Sequence, residues 1–361
     1  MSDKLTIETK ILKDLAGKTA KGALGNKNLK ISNLLQIKAE NGILSLHTND
    51  IDNHLIVSAD ITDNSSFSCV VDCDLFCRLI QTFEKDSVTL SKADSYTQVS
   101  QGSNKYKFPI PLDESGAPVV FEDLNLPEKV LDISYEDLSK ILTYLPSALS
   151  SDYVVPMYTG YYIDDVAIST NRFKVCYLPI DLLKGSGKLL LPSKLVHLLK
   201  ILQDNNLRFG INEFGVFFIT DNAIVCGLDM KEGSSYPKDA LLNYIKSDLP
   251  YQFKFKKSEF LSILNRLGLF ISNEDKATIV FTPKIDKMDI TTLKEVGEDS
   301  VKIEWLTSPI DNFSGRVDYN FLKPLIEVME DDYIIVELGA YSEYVRLRGK
   351  DAVQILTFTQ G

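Results

Sequence analysis

The chain is poor in the residues most often recruited for chemistry, with one tryptophan, three histidines and five cysteines among 361 residues. Cys69, Cys73, Cys77, Cys176 and Cys226 are odd in number and lack a secreted-domain pattern, which excludes a full disulfide framework and predicts reduced thiols. No apolar run reaches the roughly 20 residues of a membrane span. The polar start MSDKLTIETK lacks the apolar stretch of a signal peptide, so a cytoplasmic protein without a membrane partner is expected. Net positive charge is missing as well: 39 Lys and Arg face 50 Asp and Glu, leaving −11. Such a surface repels nucleic acid on average, so a DNA-binding role would need its lysines gathered on one face. With 44% hydrophobic and 25% charged residues the composition is globular, and the length suits two or three domains.

What is present is a repeat. From Leu191 to Met230, Leu195, Leu198, Leu199 and Leu202 fall at i, i+3, i+4 and i+7, one stripe of a helix, with Lys194, His197 and Lys200 on the opposite face. Three runs rich in Phe, Ile and Val follow (LRFGI, GVFFIT, AIVCGL), broken by turn residues, and predict an antiparallel meander. The stretch from Val71 repeats the plan with Leu75, Phe76, Leu79 and Phe83 as its stripe, and the stretch from Val317 does so again. Asp72, Ser193 and Asp318 stand where N-caps are needed, and Pro324 comes early enough in the third helix to be tolerated.

Three further segments, LTIETKILKDL, VLDISYEDLSKIL and FKFKKSEFLSIL, each run a strand straight into an amphipathic helix, and each is followed by three more strand-like runs. The period is about 120 residues, the size of a domain rather than of a solenoid module. Expected seams near Leu124–Pro127 and Ser247–Pro250 divide the chain into 1–125, 126–248 and 249–361. The expected class is α+β: three repeated domains, each with two helices packed on antiparallel sheet.

Catalytic motifs are weak. Ala16-Gly17-Lys18-Thr19 imitates the end of a phosphate-binding loop, but Leu12 occupies the place of its first glycine. Cys69, Cys73 and Cys77 step by four without a nearby histidine, which favours buried thiols over metal ligands. His47, His54 and His197 have no neighbouring nucleophile, and Glu330-Asp331-Asp332 has the composition of a helix-to-strand turn. Neither an enzyme, a cofactor nor a metal site is expected.

Several segments, in order, carry a resemblance. GNKNLKISNLLQIKAENGILSLHTND, with its Asn41-Gly42 turn, AISTNRFKVCYLPI, SYPKDALL and FISNEDK resemble successive stretches of the bacterial beta sliding clamp, the beta subunit of DNA polymerase III. The resemblance covers nearly the whole chain. It implies the DNA-clamp fold and a homodimer closed head to tail into a ring of six domains. Duplex DNA would pass through the hole, an ATP-dependent clamp loader would open the ring, and the replicative DNA polymerase would dock by a short peptide motif. In DNA replication such a processivity factor performs no covalent chemistry. The alternative is a clamp-like scaffold that binds partner peptides without encircling DNA.

Carried over by position, the resemblance implies a peptide pocket of Tyr158, Ile168, Thr170, Asn171, Arg172 and Phe173, then Pro237 and Leu242, closed by Tyr319, Ile355 and Thr357. Asn171 stands where the family has His, Thr170 where it has Gly, and the tail LTFTQG replaces a Met-Pro-Met-Arg type ending, so the peptide motif is expected to differ. DNA-facing cations would be Lys10, Lys13 and Lys27, Lys194 and Lys200, and Lys256 and Arg266, with Lys18, Lys21, Lys140, Lys257 and Lys323 as further candidates. Tyr106 of one copy would meet Phe270 and Ile271 of the other. Loose phosphate contacts permit sliding, whereas tight base contacts would stop it.

Overall fold

The structure, a computed structural model, describes residues 4–22, 30–50, 52–202, 206–231, 233–271, 277–293, 297–341 and 343–359. A strand leading directly into a helix and then into three strands recurs six times among these residues. The first two modules are β1 (Lys4–Glu8), α1 (Thr9–Gly22), β2 (Leu34–Glu40), β3 (Ile43–Asn49), β4 (Asn53–Asp60), and β5 (Phe67–Asp72), α2 (Cys73–Gln81), β6 (Ser87–Lys92), β7 (Tyr96–Gln101), β8 (Asn104–Pro109). The next two are β9 (Val130–Asp132), α3 (Tyr135–Tyr144), β10 (Gly160–Ile163), β11 (Ala167–Thr170), β12 (Lys174–Leu178), and β13 (Leu189–Pro192), α4 (Ser193–Leu199), β14 (Arg208–Asn212), β15 (Gly215–Ile219), β16 (Ala223–Gly227). An additional helix, α5 (Lys238–Lys246), stands outside the scheme. The last two modules are β17 (Tyr251–Lys256), α6 (Lys257–Leu267), β18 (Thr278–Pro283), β19 (Lys287–Thr292), β20 (Glu298–Trp305), and β21 (Gly315–Asp318), α7 (Tyr319–Val328), β22 (Tyr333–Leu338), β23 (Tyr344–Arg348), β24 (Val353–Thr357).

Modules exchange their leading strands in pairs. β1 pairs with β6 while β5 pairs with β2. The same exchange recurs as β9 with β14 and β13 with β10, and as β17 with β22 and β21 with β18. Every ladder among the described residues is antiparallel, so helices lie on antiparallel sheets and the α+β expectation holds.

Two compact units emerge: Met1–Tyr135 with Lys194–Asp229, and Glu136–Ser193 with Met230–Gly361. The first carries a four-stranded sheet, β1-β6-β7-β8, and an eight-stranded one, β5-β2-β3-β4-β16-β15-β14-β9; the second carries one twelve-stranded sheet. The β4–β16 and β12–β24 ladders run these sheets on between strands from different stretches of the chain.

Local signals explain most elements. Asn41 and Gly42 take φ of 52° and 76°, both left-handed, and close a two-residue hairpin between β2 and β3. Asp72 accepts from Leu75 N at 2.8 Å and Asp318 from Asn320 N at 2.7 Å, capping α2 and α7 as expected. Ser193 is instead the first residue of α4, which ends at Leu199; Leu202 is buried beyond it, in tighter turns. On α2 the stripe is rotated from the expected one. Cys73, Phe76, Cys77 and Ile80 are buried while Leu75 is half exposed, because the small thiols let the helix lie close to its sheet. All five cysteines are free and buried.

In the first unit, His47 on β3 lies with its Nε2 3.1 Å from His54 Nδ1 on β4, and its ring meets Phe121 edge-on at 5.0 Å. Burial, reinforced by the neighbouring His54, lowers the His47 imidazole from 6.5 to about 3. The folded state thus keeps a neutral ring that the unfolded chain protonates below 6.5, so this contribution is complete above that pH and is lost as pH falls towards 3. Substitution His47→Phe is expected to flatten the acid side of the stability profile, measured by urea unfolding at stepped pH. An unchanged slope would show that this imidazole does not govern it.

Candidate functional site

The β11–β12 hairpin sets the first wall of the site. Thr170 Oγ1 donates to Lys174 O at 2.8 Å and accepts from Arg172 N at 3.0 Å. The Asn171 side chain accepts from Phe173 N and Lys174 N at 3.0 and 2.9 Å, and Arg172 takes φ 81°. The Thr and Asn that depart from the family pattern therefore build the turn itself, Asn as an Asx turn. Phe173 is held 56% exposed, stacked on Phe321 at 6.1 Å, and its carbonyl accepts from Thr357 N at 2.9 Å. Lys174 is buried beneath, donating to Ser147 O and lying 5.2 Å from the Phe321 ring centre; burial lowers its pKa.

Behind the turn, β12 runs along β24, with Lys174 opposite Leu356 and Tyr177 opposite Val353. Ile168 and Ile355 are buried in an apolar cluster with Val175, Leu190, Leu241 and Val353. Tyr158 and Leu242, half exposed, pack on its outside with Met157, Tyr177, Met230 and Tyr344. Tyr236 stacks on Tyr162 at 4.8 Å and meets Tyr158 edge-on at 6.4 Å. Its hydroxyl has no hydrogen-bond partner among the described residues, and burial raises its pKa. Pro237 precedes α5, whose Leu241 and Ile245 face the cluster. Tyr319, at the start of α7 and two residues before Phe321, lies against Gly268 and is not among the side chains packed on this cluster.

What fixes α5 was not visible as a site. Arg346 on β23 donates through one guanidinium nitrogen to the carbonyls of Tyr244, Ile245 and Ser247 at 3.0, 2.7 and 3.0 Å, which are left open at the helix end. Its Nε donates to Glu337, its partner across the β22–β23 ladder, and both side chains are nearly fully buried. Arg348 donates to the same carboxylate at 3.2 Å. Sequence alternation hid the pair: Glu337 falls out of phase with Ile334, Val336 and Leu338, and Arg346 out of phase with Val345 and Leu347, so both read as solvent-facing strand positions until α5 is placed over them.

The expected cations are differently engaged. Lys10 and Lys200 are exposed, and Lys13 is half buried. The Lys194 ammonium is ion-paired with the buried carboxylate of Asp50. Lys256 lies 3.8 Å from Glu259, and Arg266 donates to Asp299 at 2.6 and 2.9 Å. Lys27 lies outside the described residues. Tyr106 on β8 is exposed beside Phe83, Phe270 is 55% exposed and Ile271 partly so. Among the described residues no group of three His, Cys, Asp or Glu side chains is arranged to hold a metal, and no helix is long and apolar enough to cross a membrane.

No family model and no curated protein sequence matches the chain. Solved structures do, end to end. The DNA polymerase sliding clamp from Bacillus subtilis superposes with TM-score 0.85 at 17% identity, covering 99% of both chains. The chain has the sliding-clamp fold. The DNA polymerase III subunit beta from Pseudomonas aeruginosa gives 0.85 at 13% identity, with 99% and 100% covered, and that from Thermotoga maritima 0.82 at 14%, with 99% of each. At such identities the likeness is one of fold, and the clamp architecture has been kept with most side chains replaced.

Removing the Arg346 guanidinium leaves the buried Glu337 carboxylate with Arg348 alone and opens three helix-end carbonyls. Arg346→Met is expected to cost about 3–5 kcal/mol and to speed amide hydrogen exchange across α5, with much of the loss recovered when Glu337→Met is added. Unchanged exchange in α5 would remove this role.

Proposed function

We propose that the protein is a DNA sliding clamp, a processivity factor that encircles duplex DNA and tethers a replicative polymerase without covalent chemistry of its own. The observation that carries this reading is the clamp fold over the whole length of both chains compared. On this reading the six modules form three domains, 1–125, 126–248 and 249–361, and two copies close head to tail.

The strand pattern supports a seam. Terminal meander strands meet as β4 with β16 and β12 with β24, which leaves β8 and β20 as the remaining two. Among the described residues β8 pairs only with β7, and Glu298–Lys302 of β20 only with β19, so each has a ladder edge open there. Exposed Lys105 and Lys107 on β8 would face Glu298 and Asp299 on β20 of the second copy, with Tyr106, Phe270 and Ile271 covered beside them. Lys10, Lys13, Lys200 and Lys256 would contribute loose phosphate contacts, while Lys194, paired with Asp50, and Arg266, paired with Asp299, would contribute less. An ATP-dependent loader would open the ring.

A partner peptide would dock on the cluster around Ile168 and Ile355, its apolar side chain meeting Leu242, Tyr158 and Phe173. Tyr319 would then serve only a ligand that extends past Phe173.

The solution mass should be twice the 40.5 kDa chain, falling to one chain when Lys105→Glu and Lys107→Glu are combined. Loaded on nicked circular DNA, the protein should stay bound and should run off after linearisation. A wild-type monomer, or equal loss from circles and linear DNA, would refute encirclement. Phe173→Ala with Leu242→Ala should weaken a polymerase-derived peptide at least tenfold, about 1.4 kcal/mol, while leaving the mass and DNA retention unchanged.

A further inference from the structure

We propose that a cleft at the far end of β12 and β24 is an anion subsite that receives an acidic segment of the docked peptide; this rests on the docking reading above. The cleft has a volume of about 480 Å³, and its lining includes Tyr177, Pro179, Lys246, Arg348, Lys350 and Val353. Val353 and Ile245 belong to the apolar cluster and Tyr177 packs upon it, so the cleft borders that cluster.

The charge balance favours an anion. Arg346 and Arg348 share the single carboxylate of Glu337, leaving one positive charge unneutralised. Asp351, the one acidic side chain in the lining, is held by Lys140 at 3.0 Å. Lys246 and Lys350 have no carboxylate within ion-pairing distance among the described residues. Asp331, which accepts from Lys350 N at 2.8 Å, offsets one of these charges, and in a chain of net charge −11 the remaining excess of cations runs against the average surface. A carboxylate entering the cleft would be partly desolvated against a guanidinium and two ammonium groups, where charge-assisted hydrogen bonds are strongest.

The sheet register sets the spacing. Val353 stands four residues from Thr357 on β24, so the cleft lies roughly 13 Å from the Phe173 turn at ~3.3 Å per residue. An extended peptide anchored by an apolar side chain near Phe173 would bring residues about three to five positions away over the cleft. The favoured occupant is therefore a peptide with one apolar anchor and acidic residues at that separation. Phosphates of a nucleic acid would meet the same cations but make no use of the shared apolar wall.

The test uses fluorescein-labelled peptides with a Leu-Phe anchor and three Glu residues four positions away, on either side, each matched by a Gln version. For one of the two orders, the Glu peptide should bind the full-length protein about tenfold more tightly than its Gln match, and the gap should close as salt is raised. Lys246→Glu with Lys350→Glu should erase the gap while leaving Gln-peptide affinity and solution mass unchanged. Equal binding of Glu and Gln peptides, or a gap that survives in the double variant, overturns the subsite. If the double variant loses DNA retention with peptide binding intact, the cleft serves phosphates and the proposal falls. Failure of every peptide to bind the wild type would instead refute the docking reading itself, and this inference with it.

Discussion

Unfilled backbone hydrogen bonds at sheet edges organise this protein. Each module begins with a strand that finds a ladder in the neighbouring module, and β17 alone among the described residues also pairs with the last strand of its own meander, β20. The exchange of β1 with β6 against β5 with β2, repeated twice more along the chain, makes no module complete without its partner. The same requirement joins terminal meander strands, β4 to β16 and β12 to β24, so that sheets outrun the sequence repeat. Recurring pairing rules then matter more than particular side chains, which explains how a clamp fold persists at 13–17% identity.

The apolar cluster around Ile168 and Ile355, the face proposed for docking, depends on the sheet in a second way. β12 and β24 supply its floor only because they are ladder partners, and α5, which forms its side, belongs to neither module scheme. A short helix outside the repeats needs an anchor of its own. Arg346 provides it by filling the open carbonyls at the helix end while its charge is balanced by Glu337 across the hairpin. A buried ion pair is a poor source of net stability, but removal of one member is costly, and such a pair fixes one arrangement against others. Here that arrangement sets Leu241, Leu242 and Ile245 against the sheet.

Much of this was legible beforehand. The helix-then-meander plan could be read from Leu195, Leu198 and Leu199, from the caps Asp72 and Asp318, and from Asn41-Gly42, because each is a local signal with one structural meaning. The α2 stripe was misread: Leu75 looked apolar enough to be inside, and only packing against the sheet selected Cys73 and Cys77 instead. Thr170 and Asn171 were legible as departures from a pattern, but not as the turn-builders they are. Lys194 had the position of a free helix cation, and only its closeness to Asp50, far away in sequence, showed that its charge is engaged.

The division follows from the range of the forces involved. Periodicity, capping and turn chemistry act over a few residues, so the amino-acid order alone determined the modules, their repetition and the hairpin at Asn41-Gly42. Strand exchange, the burial of Arg346 with Glu337, the neutral His47 ring and the gathering of cations at the end of β24 join residues far apart or depend on what surrounds them. Only the tertiary structure could decide these, because burial and ion pairing are properties of the space around a side chain and not of its neighbours in the chain.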